Sequence, residues 1–112
     1  MKYSFTLYVF LLMIIYANAQ TLSERINAKN VVLVDVRTAE EFGKGSAEGA
    51  INMPLEQLEQ QWSALKNKEN IVLFCRSGRR SGKAETILKK HGITAVNGGG
   101  VAQVIALQKG DI

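Results

Sequence analysis

Past its N-terminus, this chain carries three stretches that stay apolar without the in-out alternation of a half-exposed strand. V-V-L-V-D-V (Val31–Val36) and N-I-V-L-F-C (Asn70–Cys75) are the strongest, and I-T-A-V (Ile93–Val96) is a shorter third. Such runs suit strands of a parallel sheet covered on both faces. Between them the period changes. T-L-S-E-R-I-N-A (Thr21–Ala28) sets Leu22 and Ile26 on one helical face. In R-T-A-E-E-F (Arg37–Phe42), Thr38 can cap a short helix that Gly43 and Gly45 end. A-I-N-M-P (Ala50–Pro54) predicts a brief extended stretch. Pro54 then opens a helix whose stripe is Leu55, Leu58, Trp62 and Leu65, which assigns Trp62 to the core. Residues 82–91 carry Ala84, Ile87, Leu88 and His91 on one side. Gly92 terminates that helix, and His91 takes a helix-end role. N-G-G-G (Asn97–Gly100) predicts a turn, and V-A-Q-V-I-A-L (Val101–Leu107) a last helix. Strands alternating with helices predict a three-layer α/β domain, a small parallel β-sheet flanked by helices.

The first nineteen residues stand apart. Lys2 gives a positive start, F-T-L-Y-V-F-L-L-M-I-I-Y (Phe5–Tyr16) is apolar, and A-N-A (Ala17–Ala19) offers small residues for a signal peptidase. The run is about a dozen residues, short of the roughly 20 that span a membrane. The expectation is therefore a cleaved secretory leader over residues 1–19, a domain over 20–112, an extracytoplasmic or periplasmic location and no stable membrane anchor. One domain of about 93 residues has room for one compact fold. The full chain carries a net charge of +4, little of it clustered. The arginines that do cluster are too local for a stripe tracking a nucleic-acid backbone, and no nucleic-acid partner is expected.

Composition matters most at cysteine, of which there is one. An internal disulfide is impossible, so packing must hold the domain together. That cysteine ends the second apolar run and begins C-R-S-G-R-R-S (Cys75–Ser81), just ahead of a helix. In parallel sheets, ligands collect beyond the carboxyl ends of the strands. A tight loop there aims backbone N–H groups inward, and the helix dipole adds positive potential. Gly78 permits the curvature, and Arg76, Arg79 and Arg80 bring charge to the rim. All of this favours a nucleophilic thiolate at Cys75 and an anionic substrate.

Two thiolate chemistries use such a loop, phosphate ester cleavage and sulfur transfer. A cysteine phosphatase places five residues between cysteine and arginine, which would put that arginine where Ser81 stands. Arg80 closes a ring around only four residues, Arg76, Ser77, Gly78 and Arg79. The shorter ring suits a single sulfur atom attached to Cys75.

V-L-V-D-V-R-T-A-E-E-F (Val32–Phe42), G-A-I-N-M-P-L (Gly49–Leu55), I-V-L-F-C-R-S-G-R-R-S (Ile71–Ser81) and N-G-G-G together resemble a single-domain rhodanese, a thiosulfate or persulfide sulfurtransferase. The small exported rhodaneses of bacterial envelopes are similar in layout. The resemblance implies a rhodanese-like fold in which Cys75 accepts sulfur as a persulfide. It makes Arg76, Ser77, Gly78, Arg79 and Arg80 the active-site loop, whose amides stabilise the thiolate and the outer sulfur, with Arg76 and Arg79 nearest the incoming anion. Asp35 and Arg37 match the family's Asp-x-Arg, with structural ion pairing beside the site as their expected role. Two departures stand out. Ser46 occupies a position where relatives often have histidine, and V-A-Q-V-I lacks a tryptophan common after the glycine turn.

The implied partners are a small anionic sulfur donor and a thiophilic acceptor such as cyanide or a thiol, served by a monomer. No metal or organic cofactor is expected, since neither a His/Cys ligand cluster nor a phosphate-binding glycine motif is present. The main rival is a persulfide carrier or sulfur-relay module using the same loop without useful turnover. A thiol-redox protein is disfavoured, because no second cysteine can resolve a mixed disulfide.

Overall fold

The two strongest apolar runs become neighbouring strands at the centre of a parallel sheet. In a computed structural model, which describes residues 7–9 and 20–110, β1 (Val31–Asp35) lies beside β3 (Asn70–Cys75), with Val31 opposite Asn70 and Asp35 opposite Phe74. The short β2 (Ile51–Asn52) pairs on the outer side of β1, and β4 (Val96–Gly100) on the outer side of β3. The strand order is β2-β1-β3-β4, all parallel. The expected leader lies outside the described residues, apart from residues 7–9.

Period-two alternation explains why both central strands had to be apolar throughout. Ile71, Leu73 and Cys75 face one side with Val34, Val36 and Met53, where Ala84 and Leu88 of helix α4 (Arg79–Lys90) cover them. Val72 and Phe74 face the other side with Leu33, under Ile26 of α1 (Leu22–Asn27) and Val104 and Leu107 of α5 (Val101–Lys109). The three-layer arrangement follows from these two faces. Helix α2 (Ala39–Gly43) follows β1 and starts at Thr38, in a capping box with Glu41.

Three local expectations are corrected. The segment Ile93–Val96 is not the third long strand. The strand begins at Val96 and runs through Asn97–Gly100, the residues expected to turn. Packing is the reason: a Cβ on Gly98 would lie 2.7 Å from Val72 Cγ1, and one on Gly100 would lie 2.5 Å from the Arg76 carbonyl oxygen. Only glycine lets this strand close on β3 and its loop. The helix expected at 82–91 begins three residues earlier, so Arg79 and Arg80 belong to its first turn. Pro54 precedes a broken helical stretch, not one helix: 3-10 turns at Leu55–Gln57 and Trp62–Leu65 flank the single turn α3 (Leu58–Gln61).

Leu58 and Leu65 of that stretch are fully buried, while Leu55 and Trp62 pack at the edge of the core. Trp62 stacks on His91 with ring centroids 4.1 Å apart. His91, at the C-terminal cap of α4, also lies 3.0 Å from Glu59 Oε2 through its Nε2.

Candidate active site

The chain leaves β1 toward β2 on one side and later leaves β3 toward β4 on the other. The crevice between the carboxyl ends of β1 and β3 is thus a topological switch point, where open α/β sheets hold their ligands. Cys75 ends β3 there.

Beyond Cys75 the backbone turns through Arg76 and Ser77 to Gly78, which has φ +94° and ψ −7°. That left-handed conformation favours glycine, and a Cβ there would sit 3.3 Å from Gly99 Cα. The turn aims the Gly78 N–H at the sulfur, donating to Cys75 Sγ at 3.0 Å. No side chain caps the start of α4, so its amides remain available to the thiol. Ser81, in the first turn of α4, brings its Oγ to 3.5 Å from Sγ. Burial alone would push the Cys75 thiol up. The Ser81 hydroxyl and the amides of Ser81, Ser77 and Gly78 outweigh it and bring the thiol down to about 7. Hydrogen bonds aimed at one sulfur therefore lead among the influences favouring thiolate, ahead of arginine charge.

The three loop arginines separate. Arg76 and Arg79 are exposed beside the loop, and Ser77 is exposed between them. Arg80 turns away to Glu41 of α2 in a bidentate pair, Nη1 to Oε1 at 2.6 Å and Nη2 to Oε2 at 2.9 Å. That pairing holds the Glu41 carboxyl down to about 2, with help from Thr38. It also takes Arg80 out of the arginines expected to face an anion and makes it a strap between the helices that follow β1 and β3.

At the end of β1, Arg37 folds back on Asp35. Its Nη2 donates to Oδ2 at 2.7 Å, its Nε reaches both carboxylate oxygens, and its backbone N–H donates to Oδ1 at 3.0 Å. The bond to Asp35 raises the Arg37 guanidinium pKa further still. Arg37 also donates to the Gly45 carbonyl. Ser46 donates from Oγ to Asp35 Oδ2 at 2.7 Å, so this residue serves the carboxylate directly. Asp35 is wholly buried and its carboxylate is saturated by these partners. Asn52 then ties the Asp35 and Arg37 carbonyls together through Nδ2.

Sequence reasoning missed three residues of this site. Glu41 passed as one residue of a short helix, Ser81 as a loop-spacing marker and Asn97 as a turn residue. Asn97 Oδ1 accepts from Ser81 Oγ at 2.7 Å, and its Nδ2 donates to the Gly78 carbonyl at 2.9 Å. The available signal for Ser81 was its position: three past Gly78, it falls in the first turn of a helix starting at the loop.

A strand–cysteine–glycine loop–helix unit at a sheet switch point, with amides trained on one thiolate, is the architecture of a rhodanese-type domain. The chain belongs to this family: the model described as "Rhodanese-like domain" matches residues 18–107. It is similar to thiosulfate sulfurtransferase PspE of Escherichia coli (strain K12), with 36% identity over 78 residues covering 68% of this chain and 75% of that protein. It is also similar to YqhL of Bacillus subtilis (strain 168), an uncharacterized protein, at 36% identity over 80 residues. That match covers 69% of this chain and spans just under two thirds, 64%, of that relative. Among solved structures, a rhodanese with anions from E. coli superposes with a TM-score of 0.59 at 32% identity, covering 65% of this chain and 89% of that one.

Proposed function

We propose that this protein is a thiosulfate sulfurtransferase whose nucleophile is Cys75. One observation carries the reading: the buried Cys75 sulfur sits in an amide cradle at the uncapped N-terminus of α4, its thiol brought down to about 7. Such a sulfur is charged in a large share of molecules at neutral pH, and the cradle that stabilises the thiolate can stabilise a persulfide anion as well.

The cycle has two steps. Cys75 thiolate attacks the outer sulfur of thiosulfate, a new S–S bond forms, and the bond to sulfite breaks with sulfite taking its electron pair. An acceptor, cyanide or a thiolate, then attacks the outer sulfur of the persulfide and releases Cys75 as thiolate. Arg76 and Arg79, exposed beside the loop, receive the dianionic donor. The anions in the E. coli relative's structure are consistent in kind with that role. Arg80, engaged with Glu41, keeps α4 in place for the reaction. The N-terminal apolar run supports placing this chemistry outside the cytoplasm.

The test is steady-state thiosulfate:cyanide sulfurtransferase activity of the chain from Gln20, beside Cys75→Ser. Turnover is expected in the first and none in the second. Folded protein with a titratable thiol and no turnover would sink the assignment and leave a persulfide carrier, loaded and emptied by other proteins.

A further inference from the structure

Asn97 lies outside the loop, on β4, yet it touches the cradle at two points. Its amide orientation follows from its neighbours. The Gly99 N–H can only donate, and it meets Oδ1 at 2.9 Å. The Gly78 carbonyl can only accept, and it meets Nδ2 at 2.9 Å. Oδ1 therefore faces Ser81, and at 2.7 Å the Ser81 hydroxyl must donate to it. A hydroxyl has a single proton. While that proton points at Asn97, Ser81 Oγ can only accept from the Cys75 thiol at 3.5 Å.

We infer that Asn97 is a positioning residue that governs where the Ser81 proton points, and through it the protonation of Cys75. With the thiol protonated, the chain of donors runs Cys75 S–H to Ser81 Oγ, then Ser81 O–H to Asn97 Oδ1. When Cys75 loses its proton to water, the sulfur becomes acceptor only. The Ser81 hydroxyl then rotates to donate to Sγ, and Asn97 Oδ1 keeps the Gly99 N–H. No covalent bond changes in the rotation. Asn97 Oδ1 and the thiolate compete for one proton, which gives the cradle a donor that engages sulfur only once it is charged. This rests on the reading of Cys75 as nucleophile, but its consequences can be measured without turnover.

The competition makes a prediction of sign. Asn97→Ala removes the rival acceptor, so Ser81 can donate to sulfur permanently. The pH midpoint of Cys75 alkylation by iodoacetamide should then fall by about half a unit. In a Ser81→Ala background the same substitution removes only the brace on the Gly78 carbonyl and should not lower the midpoint. A residue that merely braced the loop would do the reverse, since a looser cradle raises the midpoint in both backgrounds. A rise with Ser81 present, or an equal shift with and without it, overturns the proposal. The surrounding charges stay the same throughout: Arg76, Arg79 and the Arg80–Glu41 pair on the loop side, and Asp35–Arg37 at the end of β1.

A second measurement needs no substitution at position 97. With one cysteine in the chain, the S–H stretch in an infrared spectrum belongs to Cys75 alone. At a pH below the thiol's midpoint it should stand at the lowered frequency of a donating thiol, and Ser81→Ala should return it to the free position. A band at the free position in the unsubstituted protein refutes the relay whatever the variants do.

Discussion

The ends of β1 and β3 are the same unit, a parallel strand, a short loop and a helix, put to opposite uses. After β1, the helix start and the buried charge are both closed off. Thr38 Oγ1 accepts the Glu41 N–H at 3.1 Å and Glu41 returns a bond to the Thr38 N–H at 3.1 Å, so α2 starts capped. The buried Asp35 is neutralised by Arg37. After β3, the helix start has no side-chain cap, and the sulfur of Cys75 accepts the Gly78 N–H instead. Among the described residues, Arg76 and Arg79 have no carboxylate partner within ion-pair distance, whereas Arg37 and Arg80 each have one. A strand–loop–helix unit stays open to an anion where its cap is withheld and its positive charge is left unspent. The closed unit is the wall against which the open one is held, through the Arg80–Glu41 strap.

The comparison breaks most severely from the closed side. Asp35→Ala leaves the Arg37 guanidinium buried without its carboxylate and should cost about 3–5 kcal/mol, read from urea unfolding. A loss under about 1 kcal/mol would mean the pair is no more than a surface bridge. Next is Gly100→Ala, which forces a methyl against the Arg76 carbonyl, with no flexible side chain to yield. It should cost about 2 kcal/mol and slow sulfur transfer by displacing the loop. Unchanged turnover would show that β4 does not shape the cradle. Thr38→Ala removes the cap of the closed unit for about 1 kcal/mol, with turnover near that of the parent. A large loss of turnover in that variant would show that the two units are coupled more tightly than one ion pair implies.

The sequence displayed those features whose cause is local. Unbroken apolar runs marked the central strands, because burial on both faces excludes polar residues there. Thr38 announced a cap, because a capping side chain bonds backbone only a turn away. Cys75 and Gly78 stood out because a cradle must be built from contiguous backbone. What stayed hidden was set by distance across the fold. Glu41 and Arg80 are 39 residues apart, and no pattern says which of three arginines will find a carboxylate. Asn97 lies 16 residues beyond Ser81 and meets it only because Gly98 and Gly100 let β4 close on β3 and its loop. Those glycines look like a turn until the strand they press against is known.

The open unit is tested directly at its thiol. With its thiol brought down to about 7, Cys75 should react with iodoacetamide at a rate that climbs through neutral pH and levels off above it. In the unfolded chain the same thiol titrates near 8.5, as an isolated cysteine does. Between those values the native state binds fewer protons than the unfolded one, so stability rises with pH across the window. The increment is fully present above the unfolded value and is lost as pH falls through about 7. Glu41 does not blur the measurement, since it titrates far below, at about 2. Urea midpoints of the parent should rise from about pH 6 to 9 relative to Cys75→Ser, whose side chain does not titrate there. If the difference is flat, or the native thiol alkylates with an unfolded-like midpoint, then the uncapped helix start gives sulfur nothing. The contrast between the two strand ends would then be one of shape without chemistry.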